Sequence, residues 1–138
     1  MNKQFDSIFK VLTQEIPKYN VPVIDLIKVQ TNDPFKILIA TILSTRTKDS
    51  TTHKAAERLF TKIKNFDDFN NYTQKEIEKI IYPVGFYKTK AKHLKELPLA
   101  MKQFKGKIPQ NIPDLIKLPG AGRKTANLVM NIAFGKDV

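Results

Sequence analysis

The chain has 138 residues, of which 41% are hydrophobic and 27% are charged, and it contains no cysteine. This composition predicts one compact domain with its own core rather than a disordered or membrane-embedded chain, and it excludes disulfides and thiolate-held zinc or iron–sulfur clusters within these residues. The 24 Lys and Arg residues outnumber the 13 Asp and Glu residues, and the resulting charge of +11 indicates a polyanionic partner, unless it only forms a solvated basic surface.

The hydrophobic periodicity in the N-terminal half of the chain is helical. A first helix is predicted over residues 5–16, where apolar residues recur on one face before Pro17. Asp33 and Pro34 then form a favourable helix start, as N-cap and first helical residue. The apolar run 35–43 that follows predicts a buried central helix. We expect Asp49 or Ser50 to cap the next helix.

The C-terminal half continues this helical pattern. Thr73 and Glu76 form a capping box, and Gly85 is predicted to cap the far end of that helix. The next helix is expected to kink or split at Pro98 and to end at Gly106. A short helix over 114–117 and a last helix ending at Gly135 complete an all-α domain of about seven or eight helices.

The most informative segment is a glycine hairpin that opens into the last helix, LPGAGRKTA over residues 118–126. Gly120 and Gly122 are predicted to permit positive φ and the close approach of another backbone. Free N–H groups of the hairpin and of the helix start form an anion site. The helix N-terminus and Arg123 favour a neutral Lys124 amine, which could form a Schiff base, but a lysine here could equally contact phosphate.

Metal binding is not predicted, because the two histidines, His53 and His93, stand alone without ligands at suitable spacing. We therefore interpret both as polar residues on helix faces. The first residues of the chain lack the apolar core of a secretory signal, and no apolar run is long enough to cross a bilayer. We therefore expect a cytoplasmic protein.

Three segments resemble the endonuclease III family of DNA glycosylases. The most specific is LPGAGRKTANLVMNIAFG, which is similar to the helix–hairpin–helix signature of that family; FKILIATILSTRTKD (35–49) and VGFYKTKA (84–91) resemble two further blocks. The resemblance extends from about Phe5 to the end of the chain. It implies a six-helix barrel domain over 23–138 that contains the helix–hairpin–helix motif (114–134), and an N-terminal helix (1–22) from an incomplete second domain.

The same resemblance implies a role for each matching residue. Lys124 is the Schiff-base nucleophile, and Arg46 stands where the family usually has a glutamine that fills the space left by a flipped nucleotide. Phe86 is the apolar wedge between bases, although it could instead fold back onto the core. Ser44 and Thr45 flank the base pocket. The implied DNA contacts are Leu118, Gly120, Ala121, Gly122, Arg123, Arg46, Phe86 and Lys88.

The resemblance implies base excision repair: a glycosylase and AP lyase acting on oxidised pyrimidines in duplex DNA, by Schiff base and then β-elimination. The alternatives are a mismatch thymine or uracil glycosylase of the same fold and a non-catalytic DNA-binding module. The family's activating aspartate and its iron–sulfur cysteines are expected beyond Val138, so we expect no cofactor within this chain and incomplete catalysis by these residues alone. The expected partner is double-stranded DNA with a damaged or abasic site, bound by a monomer, and no membrane is expected as a partner. The resemblance further implies a nucleoid-associated protein of prokaryotic type.

Overall fold

The computed structural model describes residues 33–136, and all regular secondary structure in this range is helical. The α-helices are α1 (Pro34–Ser44), α2 (Asp49–Lys62), α3 (Gln74–Ile81), α4 (Tyr87–Met101), α5 (Ile112–Leu115) and α6 (Arg123–Phe134), with 3₁₀ turns at Phe66–Asn71 and Lys102–Phe104. The predicted all-α class is confirmed. The predicted helix over 5–16, and with it the unit 1–22, lies outside the described residues.

Helix α1 is the buried centre of this arrangement, as its apolar run predicted. Asp33 caps it, because its carboxylate accepts a hydrogen bond from the Phe35 N–H at 3.0 Å. Every residue from Ile37 to Leu43 is buried, including Thr41, whose hydroxyl donates to the Ile37 carbonyl at 2.6 Å. Helices α2, α4 and α6 pack around α1, so it fixes their positions relative to one another.

Several predicted helix ends are confirmed by their capping bonds. Thr73 Oγ1 accepts from the Glu76 N–H at 3.1 Å, and Glu76 Oε1 accepts from the Thr73 N–H at 2.9 Å. The bond from the Thr73 N–H lowers the pKa of Glu76, because it favours the ionised carboxylate, and the Thr73 side chain lowers it further. Gly135 ends α6 in the left-handed conformation, at φ 63°.

Other predicted boundaries are wrong, each for a local reason. The N-cap of α2 is Lys48, without a side-chain bond, and Asp49 lies inside the first turn, where its charge still favours the helix dipole. Helix α3 ends before Gly85, with Tyr82 as its C-cap. Helix α4 runs through Pro98 without splitting, with the buried residues Leu97 and Met101 on either side, and it ends at Met101 rather than at Gly106. A kink at Pro98 stays a prediction.

The short helix α5 starts two residues earlier than the predicted span 114–117. The reason is Asn111, whose side-chain oxygen accepts from the Asp114 N–H at 2.9 Å and so caps the helix. Within residues 33–136, no helix is both long and apolar enough to cross a bilayer.

Candidate nucleic-acid interface

The hairpin between α5 and α6 is a tight turn over residues 118–121. The Ala121 N–H donates to the Leu118 carbonyl at 3.0 Å, and Gly120, in the third position, has a φ of +83°. A proline in the second position of the turn and a glycine in the third are typical of a type II turn, whose third residue needs a positive φ. The prediction of positive φ is therefore confirmed at Gly120. It is wrong at Gly122, which has the extended angles φ −86° and ψ −176° and serves as the N-cap of α6.

The two glycines also differ in their surroundings. A Cβ atom at Gly120 would lie 3.3 Å from His93 Cβ and 3.3 Å from Ile42 Cγ2, so this side of the hairpin rests on α4 and on the end of α1. A Cβ atom at Gly122 would meet nothing within 4 Å. The close approach predicted for both glycines is thus made to the protein at Gly120, whereas the backbone at Gly122 faces open space.

The N-terminus of α6 is open to a ligand. Gly122 offers no side-chain cap, and the Ala126 N–H is the donor that closes the first turn, to the Gly122 carbonyl at 2.9 Å. The N–H groups before it in a helix have no intrahelical acceptor and favour an anion. Arg123 and Lys124 are exposed beside them. Among the residues that the structure describes, Lys124 makes no ion pair, whereas Lys117 pairs with Asp114 at 3.1 Å.

The other hairpin residues predicted to contact DNA face inwards. Leu118 and Ala121 are only 2% and 6% exposed, and both belong to the main hydrophobic core. Their side chains anchor the hairpin, so only their backbone is available for a contact.

A second exposed group combines Arg46, in the loop between α1 and α2, with Phe86, just before α4. The Arg46 guanidinium carbon lies 5.6 Å from the centroid of the Phe86 ring. Phe86 is 61% exposed, which rules out the alternative that it folds back onto the core. Both residues have left-handed backbones, at φ 53° and 56°, a conformation that costs a residue with a Cβ about 1–2 kcal/mol. Neighbouring contacts must therefore hold both loops in place.

Gly85 and Thr47 supply one of these contacts. The Gly85 N–H donates to Thr47 Oγ1 at 2.9 Å. A Cβ at position 85 would lie closer than 3.0 Å to the Arg46 carbonyl oxygen, so the two loops touch through their backbones. The glycine predicted as a helix cap is instead required for this close approach.

Lys90, which is not among the predicted site residues, supplies the other contact. Its ammonium is buried and donates to the Leu43 carbonyl at 2.9 Å, the Thr45 carbonyl at 2.5 Å and Thr47 Oγ1 at 3.3 Å. Burial lowers the pKa of Lys90 to about 8. The helical spacing of the sequence indicates the burial of Lys90, because position 90 lies on the same inward face as the buried residues Leu94 and Leu97.

The remaining predicted site residues lie near these two groups. The hydroxyls of Ser44 and Thr45 donate back into α1, to the Thr41 carbonyl at 2.8 Å and the Ile42 carbonyl at 3.1 Å. Lys88 is exposed in the first turn of α4, two residues beyond Phe86. The functional roles given to these three residues stay predictions.

The histidines agree with their interpretation as polar helix-face residues. His53 pairs with Glu57 at 3.2 Å, one turn further along α2, and His93 lies half-buried beneath the hairpin. Over residues 33–136, no cluster of His, Asp or Glu could hold a metal ion.

Comparison with protein families gives a match over residues 39–133 to the model described as HhH-GPD superfamily base excision DNA repair protein. The chain is 36% identical to endonuclease III of Thermotoga maritima over 105 residues, covering 75% of this chain and 49% of that protein. It is 36% identical to endonuclease III of Rickettsia prowazekii over 135 residues, covering 97% and 59%. The chain thus spans about half the length of the curated relatives it matches.

Two solved structures resemble this fold equally well. One is a trapped covalent intermediate of endonuclease III with DNA, with a TM-score of 0.74 and 30% identity over 96% of this chain and 60% of that one. The other is a thermostable thymine-DNA glycosylase, with a TM-score of 0.74 and 31% identity over 98% and 61%.

Proposed function

We propose that this chain is part of a DNA glycosylase with AP lyase activity, since it belongs to the HhH-GPD superfamily of base excision DNA repair proteins. The proposed substrate is duplex DNA that carries an oxidised pyrimidine or an abasic site. One observation carries the proposal: Lys124 is an exposed amine in the first turn of α6, directly after a hairpin whose backbone is open at Gly122.

The two parts of the hairpin support separate steps. The open helix N-terminus suits a DNA phosphate, which it can bind without reading sequence. With a phosphate there, Lys124 lies in the same first turn of α6, and its long side chain can bring the amine to the attached sugar. In its neutral form, this amine has the lone pair that an attack on carbon requires.

The chemistry at an abasic site uses this amine, the DNA and water. The Lys124 nitrogen adds to the C1′ aldehyde, water leaves, and an imine forms. Water then takes up a C2′ proton, and the electrons of that C–H bond form a C2′–C3′ double bond. The C3′–O bond breaks in turn, and the 3′ phosphate leaves with its bonding electrons. Hydrolysis of the imine returns the free lysine. The chain has no cysteine to ligate the iron–sulfur cluster that the resemblance implies, and none of these steps uses one.

Arg46 and Phe86 support the recognition of a damaged site. A flipped nucleotide leaves a gap in the duplex and costs a few kcal/mol of stacking and pairing, less at a damaged base. An exposed aromatic ring suits insertion between bases, and a forked guanidinium can fill the gap and bond to the unpaired base. Both groups extend from one rigid surface, since their loops touch through Gly85.

Borohydride trapping tests the proposal at its central step. The 138-residue chain is incubated with a duplex that contains one preformed abasic site, and borohydride reduces any imine to a stable amine. We expect a covalent protein–DNA adduct on a denaturing gel, and its loss in Lys124→Ala. Lys117→Ala is the matched control, because Lys117 lies in the same motif but is paired with Asp114; it should retain the adduct. An adduct that persists in Lys124→Ala would refute the assignment.

A mismatch thymine glycosylase is the second candidate, favoured by the resemblance to a thymine-DNA glycosylase structure. A thymine glycosylase that does not use a lysine as its nucleophile forms no imine. DNA binding without any adduct, together with release of thymine from a T·G duplex, would favour this candidate. Binding with neither adduct nor base release would leave only DNA binding for these 138 residues.

A further inference from the structure

Lys90 is unusual among the described residues because it buries an ammonium group without a carboxylate partner. It is 5% exposed, and the ion pairs recorded over residues 33–136 involve other residues. A buried charge is costly unless its surroundings compensate for it. The compensation here comes from the oxygens of Leu43, Thr45 and Thr47, at 2.5–3.3 Å.

These acceptors are located where α1 ends and its following loop begins. The Leu43 carbonyl belongs to the last turn of α1, whose C-terminal carbonyls carry the negative end of the helix dipole. The Thr45 carbonyl and Thr47 Oγ1 lie on either side of Arg46 in the chain. One ammonium group therefore binds the backbone before Arg46 and the side chain after it.

The same bonds reach the loop that carries Phe86. Thr47 Oγ1 accepts from both the Lys90 ammonium and the Gly85 N–H. Lys90 also lies one helical turn after Phe86, and its own N–H donates to the Phe86 carbonyl at 2.9 Å. Arg46 and Phe86, both in left-handed conformations, thus share one support.

We propose that Lys90 is a positioning residue that holds Arg46 and Phe86 ready for insertion into DNA before the DNA binds. Lys90 itself is buried and touches no substrate, so it acts through the two exposed residues. All three of its side-chain bonds go to the end of α1 and to the residues on either side of Arg46, so removing the ammonium leaves the oxygens that hold this loop without their donor. The inference rests on the proposed function, because it assumes that Arg46 and Phe86 meet a damaged site.

The test compares binding to a duplex that contains a tetrahydrofuran abasic analogue with binding to the intact duplex. We expect Lys90→Met to reduce the preference for the analogue about tenfold, as loss of support for a binding group does. The salt dependence of binding should stay unchanged, because the phosphate contacts stay in place. The control is Lys92→Met on the same helix, where the lysine is exposed; it should keep the preference.

A double-mutant cycle separates positioning from a general loss of structure. If Lys90 acts through Arg46, then Lys90→Met should cost little further preference once Arg46→Ala is present. Additive losses would overturn the inference. Thr47→Val gives a second route, since it removes the hydroxyl that both loops share while preserving shape; it should reduce the preference even if Lys90→Met fails to fold.

Hydrogen exchange in the free protein gives a readout that does not depend on DNA. The Gly85 N–H should exchange faster in Lys90→Met than in the wild type, because Thr47 is no longer held. Faster exchange without any preference of the wild type for the analogue would overturn the role in DNA recognition together with the proposed function. A wild-type preference that survives in Lys90→Met and Thr47→Val would overturn the positioning role alone.

Discussion

Replacing Gly120 with alanine tests whether the hairpin needs its left-handed turn. At φ +83°, the Cβ of an alanine destabilises the folded state by about 1–2 kcal/mol. About 0.4–1 kcal/mol of this is offset, because alanine reduces the conformational entropy of the unfolded chain. The new Cβ would also lie 3.3 Å from two side-chain carbons, of His93 and Ile42, and crowding of a packed site costs about 1–3 kcal/mol. We expect a net loss of about 2 kcal/mol in the free energy of unfolding.

Gly122→Ala is the matched control, two residues further along the same hairpin. Its extended backbone suits any residue and its Cβ would meet nothing within 4 Å, so we expect a change within about 0.5 kcal/mol. The same open space is where a phosphate would approach. Gly122→Ala should therefore weaken DNA binding while leaving stability almost unchanged.

Urea unfolding followed by circular dichroism at 222 nm measures both variants. With a slope of about 1–2 kcal/mol per molar urea, the Gly120→Ala midpoint should fall by about 1–2 M, and that of Gly122→Ala should stay near the wild type. Equal midpoints for the two variants, or a larger loss in Gly122→Ala, would show that the turn geometry argued for the hairpin is wrong.

Two further predictions concern titratable groups. Because the pKa of Lys90 falls from 10.5 to about 8 on folding, the unfolded chain binds more protons between these pH values. The free energy of unfolding should therefore rise by about 1 kcal/mol per pH unit near pH 9, relative to Lys90→Met, and parallel pH profiles of the two proteins would contradict this. Thr73→Ala should lower the free energy of unfolding by about 1 kcal/mol and raise the pKa of Glu76 towards its usual value, which NMR titration of the Glu76 carboxyl checks. The ionised Glu76 stabilises the fold above its usual pKa, and this contribution is lost as the pH falls. The Thr73 N–H still donates to the carboxylate in Thr73→Ala, so the capping box would be contradicted by an unchanged free energy of unfolding in this variant.

The sequence by itself determined the features that depend on residues close together in the chain. The cap at Asp33, the capping box at Thr73 and Glu76, and the positive φ of Gly120 all follow from contacts within about one helical turn. The burial of α1 followed from an apolar run that leaves no polar face. The all-α class and the hairpin before Lys124 could therefore be predicted without a structure.

The tertiary structure alone decided how the candidate site is built. The ring of Phe86 and the guanidinium of Arg46 meet because α1 and α4 pack together, and nothing local in either loop predicts that contact. The local pattern predicts Gly85 as a helix cap, but its missing Cβ makes room for the Arg46 carbonyl. The sequence places Lys90 only within a block that resembles the family, but the packing of α4 on α1 buries its ammonium against backbone oxygens. Such contacts join residues far apart in the chain, so only the folded backbone brings their partners within bonding distance.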